Sequence, residues 1–325
     1  MPADEAVLAN EHFDVLRLTD GIFAVVNRLE GGAMSNAGIV DLGNETLVFD
    51  ALLTCAAASE LRRASVELTG RPPAYVVNSH GHGDHVWGNS VFLPEATLLS
   101  SGDTAAMVGS ADRASIDPED LRSFIDQLKA ASAAESDVEV RRTIDADLYA
   151  RQWQLEELPL RIAPPTVTFE DRIWIRGAKR SVELVAVAQA HTAGDVYLRC
   201  PSDGILFMGD LGFFAELPPF IAPQGDAASW SGVLREFESL KTERFVPGHG
   251  PVGDVDSLRN QRTFIDRVVD IAAEVARAGG AVEDATAQLR ETEYAKWART
   301  ELVLAGLQAA LDQAKRGSAS PEEAP

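Results

Sequence analysis

The chain has 325 residues, is 46% hydrophobic, and sets 29 Lys and Arg against 50 Asp and Glu for a formal net charge of −21. That length and apolar content supply a substantial core and exclude a fibre, a repeat array or a wholly disordered chain. The acids are spread along the sequence, and such a surface repels a phosphate backbone, so no nucleic-acid partner is expected. The amino terminus, MPADEAVLAN, carries acids where a secretory signal carries positive charge. No apolar stretch approaches the roughly 20 residues needed to cross a bilayer, so a cytoplasmic location without membrane association is the default expectation. Cys55 and Cys200 lack CxxC spacing and lie in apolar surroundings, which predicts buried reduced thiols.

In chain order, GIFAVVN at 21–27 and ETLVFD at 45–50 are short apolar runs bounded by turn residues, and SNAGIVDLG supplies another strand between them. From 55 to 69 the period changes. Ala58, Leu61, Ala64 and Leu68 share one helical face, and Gly70 followed by Pro72 stops the helix. A buried strand, Ala74 to Val77, then delivers its carboxyl end into a histidine-rich loop, where layered α/β folds commonly place a site. Residues 103–138 carry helical patterning, whereas 139–164 is charged and amphipathic and reads either as a lid-like connection or as a long excursion.

Strand patterning resumes at 166–174, TVTFEDRIW, and at 181–188, SVELVAVA, followed by a hairpin of VYLRC and ILFMGD around PSDG. A proline-interrupted apolar loop at 214–225 precedes a helix at 226–240 with Trp230, Leu234 and Phe237 on one face. The remainder is helical from about 254 to 277 and from about 283 to 315, and it ends in a short polar tail.

The chemistry concentrates in Asn78-Ser79-His80-Gly81-His82-Gly83-Asp84-His85, where four candidate ligands fall within six residues and glycines permit tight turning. Imidazole binds first-row divalent metals as a neutral ligand, and a carboxylate adds charge and a harder oxygen. No neighbouring cysteine offers a thiolate, which argues against a zinc finger or an iron–sulfur centre. Five of the six histidines lie in NSHGHGDHVWGN, VAQAHTAGD and VPGHG; only His12 stands apart. Small-residue loops after apolar strands could bring His191, Asp210 and His249 to the first cluster, giving seven ligands. Seven are too many for one tetrahedral zinc with an open position, and they suit two ions sharing a ligand. The competing explanation, satisfied polar residues in a core, does not account for this use of nearly every histidine.

The pattern resembles the metallo-β-lactamase superfamily, whose signature is HxHxDH followed by a histidine, a metal-bridging aspartate and a final histidine. The resemblance runs from AVVNRLEGGAMSNAGIVDLG to the GHG segment. It implies an α+β fold, an αββα sandwich of two mixed β-sheets flanked by helices, with the site at one sheet edge. On the family pattern His80, His82 and His191 hold one metal, Asp84, His85 and His249 the other, and Asp210 bridges them. Asp50 matches the family's structural acid and is expected to accept a ligand histidine's second N–H. The implied cofactor is two Zn2+ per chain, with Fe or Mn as alternatives. The expected organisation is a catalytic domain at 1–253 with an excursion at about 103–164, helices at 254–315 packing on it, and a flexible tail at 316–325.

Two metals suggest hydrolysis by an activated water, with Asp84 orienting the water and serving in proton transfer. Trp87, Phe92, Phe213, Phe214, Pro218, Pro219 and Phe220 are candidates to line an apolar pocket, with core packing as the competing explanation. The expected partner is a small-molecule substrate with a thioester, ester or lactone-like carbonyl. Asp210 as bridging acid resembles glyoxalase-type hydrolases, although β-lactam hydrolysis stays open. SNAGIVDLG, HGDHVWGNSVFLP, AHTAGDVYL, ILFMGDLGFF and PGHGPVG resemble a bacterial subgroup that includes aromatic polyketide thioesterase–cyclases. A di-iron oxidoreductase and a non-catalytic metal-binding protein are the readings from other classes. The carboxyl-terminal helices either pack on their own sandwich or form the seam of a homodimer.

Overall fold

The computed structural model describes residues 5–110, 117–159, 162–215, 218–295, 297 and 301–318. Alternating apolar residues build two sheets. The first has eight strands in sequence order: β1 (Glu5–Ala9), β2 (Phe13–Thr19), β3 (Ile22–Asn27), β4 (Ala37–Asp41), β5 (Thr46–Phe49), β6 (Pro73–Val77), β7 (Thr97–Ser101) and β8 (Val167–Phe169). Neighbours are antiparallel up to β5 and parallel from β5 to β8. The second sheet holds β9 (Arg172–Arg176), β10 (Ser181–Ala186), β11 (Val196–Cys200), β12 (Ile205–Phe213) and β13 (Arg244–His249) in the order β13-β12-β11-β10-β9. Only its β12–β13 pair is parallel.

Because side chains alternate across a strand, one strand feeds two cores. Ile22 and Ala24 of β3 face Phe207, Val182 and Leu198 of the second sheet, whereas Phe23 and Val25 face a core shared with α1 (Cys55–Thr69). In β12, Ile205 and Phe207 join the inter-sheet core; Leu206 and Met208 point the other way, toward Trp230, Leu234 and Phe237 of α6 (Ala227–Ser239). The outer helical layer continues with α7 (Val255–Arg277), α8 (Val282–Arg290) and α9 (Glu301–Ser318). The layers run α, β, β, α, as expected. Among the described residues no helix is long and apolar enough to cross a membrane.

Helix α1 begins where Thr54 accepts from the Ala57 N–H and ends at Gly70, whose left-handed backbone (φ 80°) closes the last turn. The short α2 (Gly83–Val86) and a 3-10 turn (Trp87–Phe92) follow β6. Then α3 (Gly102–Val108), α4 (Pro118–Ala134) and α5 (Val138–Glu156) form the excursion between β7 and β8. The segment 139–164, without assignment in the sequence, is largely α5; its apolar residues are scattered around the helix instead of forming a stripe, so periodicity could not reveal it. It is moored to the first sheet and α1. Trp153 Nε1 donates to the Glu30 carbonyl (3.2 Å), and the Glu157 carboxylate accepts from the Cys55 and Ala56 N–H groups at the α1 amino end, both 2.6 Å.

Three expectations are corrected. The run 166–174 is not one strand: Phe169 pairs with Ser101 in the first sheet, Arg172 with Val185 in the second, and the chain changes sheets at Glu170-Asp171. Alternation persists through the crossing, so the pattern alone does not register it. The helix expected from about 283 to 315 is broken after Arg290, where Thr292 Oγ1 donates to the Leu289 carbonyl and accepts from the Tyr294 N–H, diverting the backbone. Cys200 is buried as expected, but Cys55 is only partly so. The expected tail lies mostly outside the described residues, from 319 onward.

At the end of the strands away from the histidine loops, Asp41 ties the layers together. It accepts from Arg71 Nη1 (2.6 Å), Lys179 Nζ (2.8 Å) and the Gly43 N–H (2.9 Å), and Lys179 belongs to the β9–β10 turn of the second sheet. Burial pushes its carboxyl up, but Lys179, Gly43 and Arg71 outweigh burial and hold it below the usual carboxylate value of 3.8. A carboxylate depressed in the folded state stabilises above its unfolded pKa, and that contribution is lost as pH falls through the folded value. We predict that Asp41→Asn lowers unfolding free energy by about 1–2 kcal/mol at neutral pH, with most of the effect from Arg71 and Gly43 because Lys179 is half-exposed. Urea titrations at pH 7 and pH 3 check this: the difference between wild type and variant should shrink at the lower pH.

Candidate metal centre

The carboxyl ends of β5, β6, β12 and β13 and the loop after β10 meet at one edge of the sandwich. Asp50 follows β5 with φ 65°, a backbone rare for a residue with a β-carbon. The turn lets its carboxylate accept from the Ser79 N–H (2.7 Å) and face His85 Nδ1 (2.8 Å). Asn78 closes the histidine loop by donating its amide to the His85 carbonyl (2.9 Å). After β10, the Asp195 carboxylate accepts from the Thr192 N–H (2.9 Å) and hydroxyl (2.6 Å), rounding the turn that presents His191. Two glycines permit close approach: a β-carbon on Gly209 would lie 2.3 Å from Ser79 Cβ, and one on Gly248 only 2.1 Å from Asp210 Oδ1.

The seven expected residues converge as two groups, His80, His82, His191 and Asp210 on one side and Asp84, His85 and His249 on the other. Asp210 stands between them. Its Oδ2 is 3.6 Å from His80 Nε2 and 3.4 Å from His191 Nε2; its Oδ1 is 3.0 Å from His85 Nε2 and 3.3 Å from His249 Nε2. Asp84 Oδ2 lies 3.4 Å from His85 Nε2 and 3.3 Å from His249 Nε2, and His82 Nδ1 is 3.1 Å from His191 Nε2.

Hydrogen bonds on the far side of the rings fix which nitrogen is free. His191 Nδ1 faces the Phe220 carbonyl at 2.8 Å, and a carbonyl only accepts, so the proton sits on Nδ1 and the Nε2 lone pair points into the cluster. Asp50 orders His85 in the same sense. Inside the cluster, His80 Nε2, His85 Nε2 and Asp210 Oδ1 are buried without a well-formed hydrogen bond. Buried polar atoms are rarely orphaned, and here they are imidazole nitrogens and a carboxylate oxygen facing one another, a donor set that fits divalent cations.

Electrostatics separate the two groups. Burial holds His80 well below the usual imidazole value and His191 at about 3, so both are neutral and ready to donate. Burial also opposes charge in the second group, but Asp210 and Asp84 raise His85 well above its usual value and His249 to about 10. Burial raises Asp84 and Asp210 in turn, and the imidazoles outweigh it, holding both well below the usual carboxylate range. Asp50 is pushed up by burial despite its contact with His85.

The expected lining residues divide. Phe213 stacks on His249 (centroids 5.0 Å apart, 17° between planes), and the Phe220 ring lies 6.1 Å from His82 and 5.9 Å from His191. Trp87 is half-buried, packed against Gly83 with Arg151 above its ring. Phe214 is placed in the core against Gly250 and Gly253, and Phe92 in the core under α1. Sequence reading missed Ser35, Asn36, Asp195, Gln224 and Trp230 as neighbours of the donors. Gln224 Nε2 is 3.4 Å from His82 Nε2, and Trp230 stands edge-on to His191 at 5.5 Å. The only available signal was position, since Asp195 and Asn36 sit in the quoted segments AHTAGD and SNAGIVDLG.

Comparison with sequence families matches residues 31–249 to the Metallo-beta-lactamase superfamily. Comparison with curated proteins gave no match. Among solved structures, the chain is similar to a metallo-beta-lactamase from Pontibacter korlensis at 17% identity and TM-score 0.54, covering 81% of this chain and 99% of that one. It is similar to one from Erythrobacter litoralis at 14% identity and TM-score 0.56, with 81% and 99% covered. It is also similar to the stereoselective inverting sec-alkylsulfatase Pisa1 from Pseudomonas sp. at 16% identity and TM-score 0.65, covering 92% of this chain but 50% of that one. At these identities the likeness is one of fold.

The close approach at residue 248 makes a direct test. Gly248→Ala should displace the Asp210 carboxylate and weaken metal binding at both groups by about 10- to 100-fold. Elemental analysis after dialysis against a weak chelator measures it; full metal retention would show that Asp210 is not shared between the groups.

Proposed function

Because the chain belongs to the metallo-beta-lactamase superfamily, we propose that it is a zinc hydrolase with two cations, acting on a thioester, ester or lactone-like carbonyl of a small molecule. The observation that carries this reading is the division of Asp210, whose two oxygens face different imidazole pairs. Five imidazoles and two carboxylates without a thiolate suit zinc that changes coordination number during a reaction. Cations held there would lower the pKa of a water toward neutrality and polarise a substrate carbonyl.

The protein's own part is to hold, orient and exchange protons. His80, His85 and His191 are at most 1% exposed, and Asp210 is 5% exposed, whereas the Asp84 and His249 side chains reach 13% and 17%. His82 is also partly exposed, so the accessible edge of the cluster is formed by His82, Asp84 and His249. Asp84 is the partly exposed carboxylate of the cluster, and in this reading it orients the water, takes its proton and returns it to the departing thiolate or alkoxide. Phe213 and Phe220 offer apolar flanks for an acyl group. Together with the net charge of −21, they favour a carbonyl substrate over a polyanionic phosphodiester.

A panel of thioesters, lactones, β-lactams and phosphodiesters assayed at defined zinc, manganese and iron loading tests the reading. Zinc-dependent turnover of a thioester or lactone, abolished by chelation, is expected; a visible iron band with redox turnover would replace it with the oxidoreductase reading. Asp84→Ala should lower kcat/KM by about 10²- to 10⁴-fold while the His80, His82 and His191 group retains its metal. Undiminished turnover in a variant of verified metal content would reject the role given to Asp84.

A further inference from the structure

Ser35 and Asn36, at the entrance to β4, are 0% and 2% exposed. The Asn36 amide donates to the carbonyls of Pro247 (2.9 Å) and Gly250 (2.8 Å), and its main-chain N–H donates to the Gly248 carbonyl (2.7 Å). One residue thus grips the backbone on both sides of His249. Its side-chain oxygen accepts from the Asn27 N–H (3.0 Å), which fastens the grip to β3. Ser35 Oγ donates to the Asp84 carbonyl at 2.5 Å. These bonds reach two members of the second donor group, Asp84 and His249, which come from loops more than 160 residues apart in sequence.

Ser35 and Asn36 are buried, and so is the Asn36 bond to the Pro247 carbonyl, so a partner lost there is not replaced freely by water. Alanine at 36 would leave the Pro247 and Gly250 carbonyls without their donor. Aspartate would keep the shape but set carboxylate oxygen against carbonyl oxygen. The first donor group is steadied elsewhere, His191 by the Phe220 carbonyl and His80 by the Ser79 hydroxyl at 3.0 Å.

We propose that Ser35-Asn36 is the positioning device of the Asp84–His85–His249 group and sets its cation affinity separately from that of the His80–His82–His191 group. The inference rests on the two-cation reading above. The full chain loaded with zinc is dialysed against graded chelator, retained metal is counted, and thermal unfolding is recorded on the same samples; cobalt-substituted protein gives the visible spectrum of each step. Wild type should release metal in two steps, and a single step from one bound equivalent would overturn the two-cation reading itself. With two wild-type steps, Asn36→Ala and Asn36→Asp should weaken the more labile equivalent by about 10- to 100-fold while the other stays within about threefold. Equal weakening of both equivalents, or an unchanged labile equivalent in a folded variant, overturns the proposal. Ser35→Ala deletes one hydroxyl and keeps the test open if the Asn36 variants do not fold: the labile equivalent should weaken roughly fivefold, and no change would count against the proposal.

Discussion

Everything at the open edge of this sandwich follows from placing five imidazoles and two carboxylates where water is almost excluded. Such groups repel, compete for protons and lose hydration, and an arrangement of this kind persists only if each has a partner on its outer side. The structure supplies such partners for three of the imidazoles: Asp50 for His85, the Phe220 carbonyl for His191, and the Ser79 hydroxyl for His80. What is left facing inward is a set of imidazole nitrogens and carboxylate oxygens.

The inward-facing atoms are not equivalent. His80 and His191 are neutralised by burial, whereas His85 and His249 sit among carboxylates that draw protons to them. Each group has a partly exposed imidazole, His82 in the first and His249 in the second, and the second group is assembled from the loops furthest apart in sequence.

The sequence announced the donors because metal ligation demands particular side chains at close spacing, and no other role explains HGHGDH beside nearly all remaining histidines. It announced α1 and α6 because each gathers its apolar residues on a single stripe. It was silent where the determinant is a backbone contact. Asn36 acts through carbonyls of residues 247, 248 and 250, and a carbonyl has no identity in sequence. The crossing at Glu170-Asp171 escaped for a related reason, since alternation describes a strand's faces but not its sheet. Helix α5 escaped because its apolar residues form no single stripe.

Asp41, with Arg71 and Lys179, closes the sandwich at the end opposite the donors. A charged tie between the layers and the chemistry of the edge thus stand at separate ends of the same strands. Side chains at the donor end can vary while the other end keeps the layers in register, much as the pages of a bound book turn without loosening its spine. A scaffold divided in this way can diversify in specificity with little penalty in folding.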